Sequence, residues 1–116
     1  MTRVISINDA GSFEIAPGVR MSPLFGDSSM FMVVTLEPNA VVPAHSHPHE
    51  QLGLVLAGTI TFRIGGAEHT LGVDGAYHIP GGVEHGAVAG PEGCRVIDIF
   101  QPVREDYRKL VEGEPR

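Results

Sequence analysis

The sequence predicts an all-β fold, a sandwich or closed barrel of short strands with one short helix near the C-terminus. Short apolar-alternating segments recur along the whole chain, each bounded by turn residues. Gly 15 and Pro 9 in 116 residues supply those turns and leave few stretches able to form helix. Only residues 104–111 place apolar side chains, Tyr107, Leu110 and Val111, at helical spacings.

The elements follow in order. Val4 to Ile7, Phe13 to Ile15, Val19 to Phe25 and Met30 to Leu36 alternate as strands; Glu37-Pro38-Asn39 breaks the last. Val41 to His47 resumes an extended run, and Pro48, which has no N–H for a ladder, makes Pro48-His49-Glu50 a turn. Gln51 to Leu56 reads as a strand ended by Gly58. Thr59 to Ile64 and Ala67 to Leu71 flank Gly65-Gly66, a hairpin signal. Tyr77 to Ile79 precedes the turn Pro80-Gly81-Gly82. Gly86 to Ala89 and Arg95 to Phe100 are strands separated by the turn Gly90-Pro91-Glu92-Gly93. A frayed tail is expected over Glu112 to Arg116. The length suits one domain over residues 1–116, with N-terminal strands in 1–29, a barrel core in about 30–101 and the helix in about 104–111.

Composition narrows the function classes. A formal charge of -6 argues against binding the phosphate backbone of nucleic acids, which needs clustered Lys and Arg. The single Cys94 can form no internal disulfide and suits a reducing compartment. There is no run of about 18 apolar residues and no basic-then-apolar start, so a cytoplasmic protein without membrane association is expected. In Gln51 to Leu56, Leu52, Leu54 and Leu56 share one face while Gln51, Gly53 and Val55 share the other. A strand apolar on both faces is usually covered on both, so a homodimer is expected; the alternative is cover by the chain's own N-terminal strands.

The chemistry-bearing residues are His45-Ser46-His47-Pro48-His49-Glu50-Gln51 and Pro80-Gly81-Gly82-Val83-Glu84-His85. Histidines one residue apart in an extended segment point the same way. With Gln51 and His85 they offer three imidazoles and a side-chain oxygen, a set suited to a divalent transition metal. Glu50 competes with Gln51 but should point to the opposite face. His49 is expected to be carried off by the turn, to the rim at most. His69 and His78 stand outside the pattern, His69 as a surface residue and His78 as exposed or buried and hydrogen-bonded.

The two segments resemble the two cupin motifs, HxHxxx(E/Q)x6G, closed here by Gly58, and PxGxxH. The resemblance spans about residues 38 to 86 and implies a jelly-roll barrel, the double-stranded β-helix. Three positions depart from the usual pattern: Asn39 replaces a glycine, Asp74-Gly75 stands for Gly-Asp, and Ala89 replaces an Asn. None is a ligand position, and Asn tolerates left-handed backbone.

The stretch Asp98-Ile99-Phe100-Gln101-Pro102-Val103-Arg104-Glu105-Asp106-Tyr107, together with the first motif, resembles the KdgF-like cupins of pectin and alginate breakdown. Those proteins linearise 4,5-unsaturated uronate monosaccharides. The resemblance implies one divalent metal per chain (Zn, Ni, Mn or Fe) on His45, His47, Gln51 and His85. It implies Asp98, Phe100 and Arg104 as the catalytic residues and an anionic sugar as the small-molecule substrate. The structural alternative makes Phe100 core, Asp98 merely hydrogen-bonded, and Arg104 a cap or ion-pair partner at the helix start. Other functions open to the same residues are a metal-dependent oxygenase, a polyketide cyclase-like cupin, and a non-catalytic small-molecule-binding module.

Overall fold

Eight strands and one helix make up the computed structural model, which describes residues 2–113. In chain order they are β1 (Phe13–Ala16), β2 (Val19–Phe25), β3 (Met30–Leu36), β4 (Val41–His45), β5 (Glu50–Ile64), β6 (Ala67–Leu71), β7 (Ala76–Ile79), β8 (His85–Gln101) and α1 (Glu105–Glu112). The sheet path is β1-β2-β3-β8-β5-β6, with β4 on β8 and β7 on β5, and every pairing is antiparallel.

Two long strands organise everything else. The first part of β5 and the last part of β8 pair with each other and with β7 and β3, forming one layer. Their other halves pair with each other and with β6 and β4, forming the second. This is the jelly-roll arrangement of the cupin fold. The pair crosses between layers where its register shifts, between Val55 and Ala57 and between Gly58 and Ile60. Gly58 has φ +74, and a Cβ there would overlap the Gly93 carbonyl oxygen, so the corner requires a residue without a side chain.

That corner corrects two sequence expectations. Gly58 does not end a strand, and Gly90-Pro91-Glu92-Gly93 does not reverse the chain, because both lie inside continuous strands. The glycines bend a ladder that remains paired. Val4 to Ile7 is also not a strand: residues 4–6 are exposed on both alternating faces and pair with no strand, and Ile7–Asp9 forms a single 3-10 turn. The Gly65-Gly66 hairpin is present with φ of 56° and 85°, and Asn39 is left-handed at φ 62°. Helix α1 starts one residue later than expected, with Arg104 as its N-cap. Tyr107 is buried and Val111 packs on the core, whereas Leu110 faces solvent. The tail expected to fray lies, for residues 114–116, outside the described residues.

The core fills the space between the layers with Met21, Met32, Val34, Leu36, Val55, Ile60, Phe62 and Val96. Burial of this kind stabilises by roughly 25 cal/mol per Å² of apolar surface. Outside, Leu52, Leu54, Leu56 and Ile99 remain 37–46% exposed, so β1 and β2 do not cover them. Among the described residues no helix is long and apolar enough to cross a membrane.

Candidate metal centre

Three histidines from two segments meet at one end of the barrel. His45 ends β4, His47 follows it, and His85 opens β8 opposite His45 in the ladder. Their ring centroids lie 5.6 Å (His45–His47), 4.4 Å (His45–His85) and 4.9 Å (His47–His85) apart. One nitrogen of each can be chosen so that all three fall within 4.8 Å of one another. Donors about 2.0–2.2 Å from a shared ion stand up to about 4.4 Å apart, so the cluster is nearly closed around an ion-sized space.

The backbone sets the tautomers. His45 Nδ1 lies 2.9 Å from the Pro43 carbonyl oxygen, His47 Nδ1 3.1 Å from that of His49, and His85 Nδ1 2.9 Å from that of Val83. A carbonyl only accepts, so each Nδ1 carries the ring proton and each Nε2 keeps a lone pair. Burial, then the positive charge of Arg104 and the neighbouring imidazoles, lowers the His47 pKa to about 4; burial likewise lowers His85. Both rings are therefore neutral near pH 7.

Gln51, the second residue of β5, turns inward, and its Oε1 lies 3.2 Å from His47 Nε2. With the His47 proton at Nδ1, these are two acceptors facing each other. A cation between them removes the conflict, and two ligands about 2.1 Å from one ion at roughly 100° stand about 3.2 Å apart. The residues thus fit a metal. Glu50 faces the opposite side of the strand, where its carboxylate accepts from His78 Nε2 at 2.9 Å on the exposed surface. His49 stays outside the three-histidine group, its ring edge-on to His47 with centroids 5.6 Å apart. His69 is exposed on β6.

Asp98 and Phe100 project from β8 into the same interior. Phe100 is opposite Gln51 in the ladder and packs edge-on against His47. Asp98 is buried and accepts hydrogen bonds from the Tyr77 hydroxyl and from Gln51. Burial raises its pKa to about 6, against the lowering effect of those two donors. Arg104 is buried, its guanidinium 3.9 Å from the centre of the Tyr107 ring and 5.2 Å from that of Phe100. Its Nε and Nη2 donate to the two Asp106 carboxylate oxygens at 3.1 and 2.9 Å, while Nη1 is buried with no hydrogen-bond partner among the described residues. Burial raises the Asp106 pKa, but the bonds and charge from Arg104 outweigh it and hold that carboxylate below its usual range.

His45, Gln51, His85, Asp98, Phe100, Arg104 and Tyr107 line one cavity of about 40 Å³, floored by Met21, Met32, Val34 and Leu36. Six of the seven residues expected at the site line this cavity, and the seventh, His47, stands beside it against His45, His85 and Gln51, although the fork of Arg104 is already engaged. Sequence reasoning missed Tyr77 and Asp106. A signal for the first was present in Gly53, an inward-facing position without a side chain in an otherwise apolar strand.

Residues 32–100 match the cupin domain family model, more than half of the chain. The chain belongs to the cupin family. This cupin is 30% identical over 96 residues to the pectin degradation protein KdgF of Dickeya dadantii (strain 3937), covering 81% of this chain and 87% of that one. The solved structure of KdgF from Halomonas sp. superposes with a TM-score of 0.84 at 27% identity, covering 92% of this cupin and 99% of that chain. A shorter match joins it to the dimethylsulfoniopropionate lyase DddW of Ruegeria pomeroyi, 47% identical over 51 residues, or 44% of this chain and 32% of that one.

Proposed function

We propose that this cupin is a metal-dependent enzyme that opens 4,5-unsaturated uronate monosaccharides to their linear keto form. One observation carries the proposal: a buried carboxyl with a pKa near 6, Asp98, shares a cavity with His45 and His85 of the three-histidine cluster and with a buried arginine whose Nη1 has no hydrogen-bond partner among the described residues. The similarity to KdgF over most of both chains supports the substrate class.

The reaction asks for three things that these residues supply. The anomeric hydroxyl must lose its proton, and ionised Asp98 is the base. As the C1 carbonyl forms, the bond from C1 to the ring oxygen breaks and that oxygen departs as an enolate. Protonation of C4 then yields the keto form, and the proton taken by Asp98 serves for it. Arg104 Nη1 donates to the uronate carboxylate, while Asp106 holds the rest of the guanidinium in place. Phe100 walls the cavity. His45, His47, Gln51 and His85 would hold one divalent transition ion per chain, Zn, Ni, Mn or Fe. Bound there, the ion supplies Lewis acidity for the developing enolate. A cavity of about 40 Å³ takes an ion with a few waters, so the sugar presents only its reacting edge and extends outside.

The proposal includes a homodimer, supported by the exposed outward row of Leu52, Leu54, Leu56 and Ile99, and a cytoplasmic setting, supported by the lone buried Cys94. The assay strips the protein with chelator, reloads each metal and follows loss of unsaturated uronate absorbance. No acceleration over the spontaneous rate with any metal would overturn the proposal. The DddW match favours a second reading, proton abstraction from a small substrate such as dimethylsulfoniopropionate; release of dimethyl sulfide in the same panel would decide for it.

A further inference from the structure

Asp98, Gly53 and Tyr77 form one cross-strand row: Gly53 is opposite Asp98 in β8 and opposite Tyr77 in β7. Gly53 is therefore the only residue of this row standing between them, and it has no side chain. A Cβ there would overlap both Cζ of Tyr77 and its hydroxyl oxygen, so the phenol occupies the volume that any other residue would fill. The hydroxyl donates to Asp98 Oδ1 within the buried interior. The neighbouring row holds Gln51 between Ile79 and Phe100, one pleat nearer the histidines. Gln51 bonds Asp98, and a carboxylate can only accept, so the amide NH2 of Gln51 points to Asp98. Its oxygen is left facing His47.

We infer that Tyr77 and Asp98 are positioning residues that set which end of the Gln51 amide faces the metal, with Gly53 giving the phenol its path. An amide is nearly symmetric in shape, and only its nitrogen and oxygen distinguish a useless orientation from a ligating one. The histidine cluster cannot make that choice, because its lone pairs would accept from an amide N–H equally well. Asp98 makes it from the other side, and Tyr77 keeps the Asp98 carboxyl from turning its own oxygens elsewhere. Partners of this kind typically change metal affinity by about 10–100-fold. The inference rests on the four-ligand centre proposed above, but not on the uronate reaction.

The test titrates chelator-stripped protein with Co2+, whose visible absorption reports the ligand set, in wild type, Tyr77→Phe, Asp98→Asn, Gln51→Ala and Gln51→Ala/Tyr77→Phe. Thermal unfolding of each metal-free protein checks the fold. Tyr77→Phe should weaken Co2+ binding by about 10-fold and alter its spectrum, and Asp98→Asn by at least as much. In the Gln51→Ala background Tyr77→Phe should change nothing further, since no amide is left to orient. An equal loss in that background would show a general structural role and overturn the inference. So would wild-type affinity and spectrum in both Tyr77→Phe and Asp98→Asn, with the metal centre left standing. Absence of Co2+ binding by the wild type would overturn both the centre and the inference.

Discussion

Asp98→Asn should make the metal-free protein more stable relative to wild type as the pH rises. The Asp98 pKa is 3.8 in an ordinary environment and about 6 in the fold, where burial penalises the charge. Between these values the native state binds more protons at this site than the unfolded chain. Its contribution is thus fully present below pH 3.8 and lost as pH rises through 6. At about 1.4 kcal/mol per pH unit the whole loss is about 3 kcal/mol, of which about 1 is already gone at pH 4.5. An asparagine never ionises and loses nothing. Denaturant titrations of both proteins in chelator should therefore show the stability difference moving by about 2 kcal/mol in favour of the Asp98→Asn variant between pH 4.5 and 8. A fixed offset from imperfect pairing of the new amide with Tyr77 and Gln51 does not affect this change. The lowered histidines titrate in both proteins and cancel in the difference. A difference that is flat with pH, or that moves in favour of the aspartate, would refute the raised pKa and with it the account of Asp98 as a base poised near neutrality.

His45→Ala or His85→Ala should lose most of the bound metal, measured as metal per chain after dialysis; full occupancy in both would refute the site. In the uronate assay Asp98→Asn should lower the rate by about 10²- to 10⁴-fold. The wild-type rate should fall on the acid side with a midpoint at or below pH 6, since a bound cation can only draw the Asp98 value down. Arg104→Lys should raise KM more than it lowers kcat, because a lysine cannot both pair with Asp106 and present a second N–H in the same plane. Leu54→Arg should turn a dimer into a monomer of 12.4 kDa by ultracentrifugation, and a wild type already monomeric at micromolar concentration would remove the dimer.

That His45, His47, Gln51 and His85 come together was legible in the sequence because the placement of each follows largely from local pattern. Gln51 and Glu50 are separated by strand alternation and Pro80-Gly81-Gly82 precedes His85, whereas β4 ends at His45 and His47 joins the cluster from just beyond it. The strand inventory was legible for the same reason, and it failed where glycine is ambiguous. Gly58 and Gly93 bend a strand, Gly65 and Gly66 reverse one, and no local pattern separates the two uses. Val4 to Ile7 alternates like a strand but joins no sheet and buries neither face, and whether a segment is covered is a property of the assembled fold. That Arg104 caps or pairs at the helix start was open to the sequence, but Asp106 as its partner and the Tyr77–Asp98 bond were not, because hydrogen-bond partners depend on rotamers and on which side chain is missing opposite.

The bent β5–β8 pair has a kinetic consequence. Gln51 and Asp98 stand at its one end and His85 at the other, with the barrel corner between, so no short fragment contains a site. Contacts this distant in sequence form slowly, and the chain must bring His45 and His47 to His85 across roughly forty residues before the histidines can meet. A metal present during folding would find only the His45–His47 pair early on, a weak bidentate grip. Tight metal capture should therefore mark the end of folding rather than start it, and stopped-flow metal uptake should lag behind barrel formation.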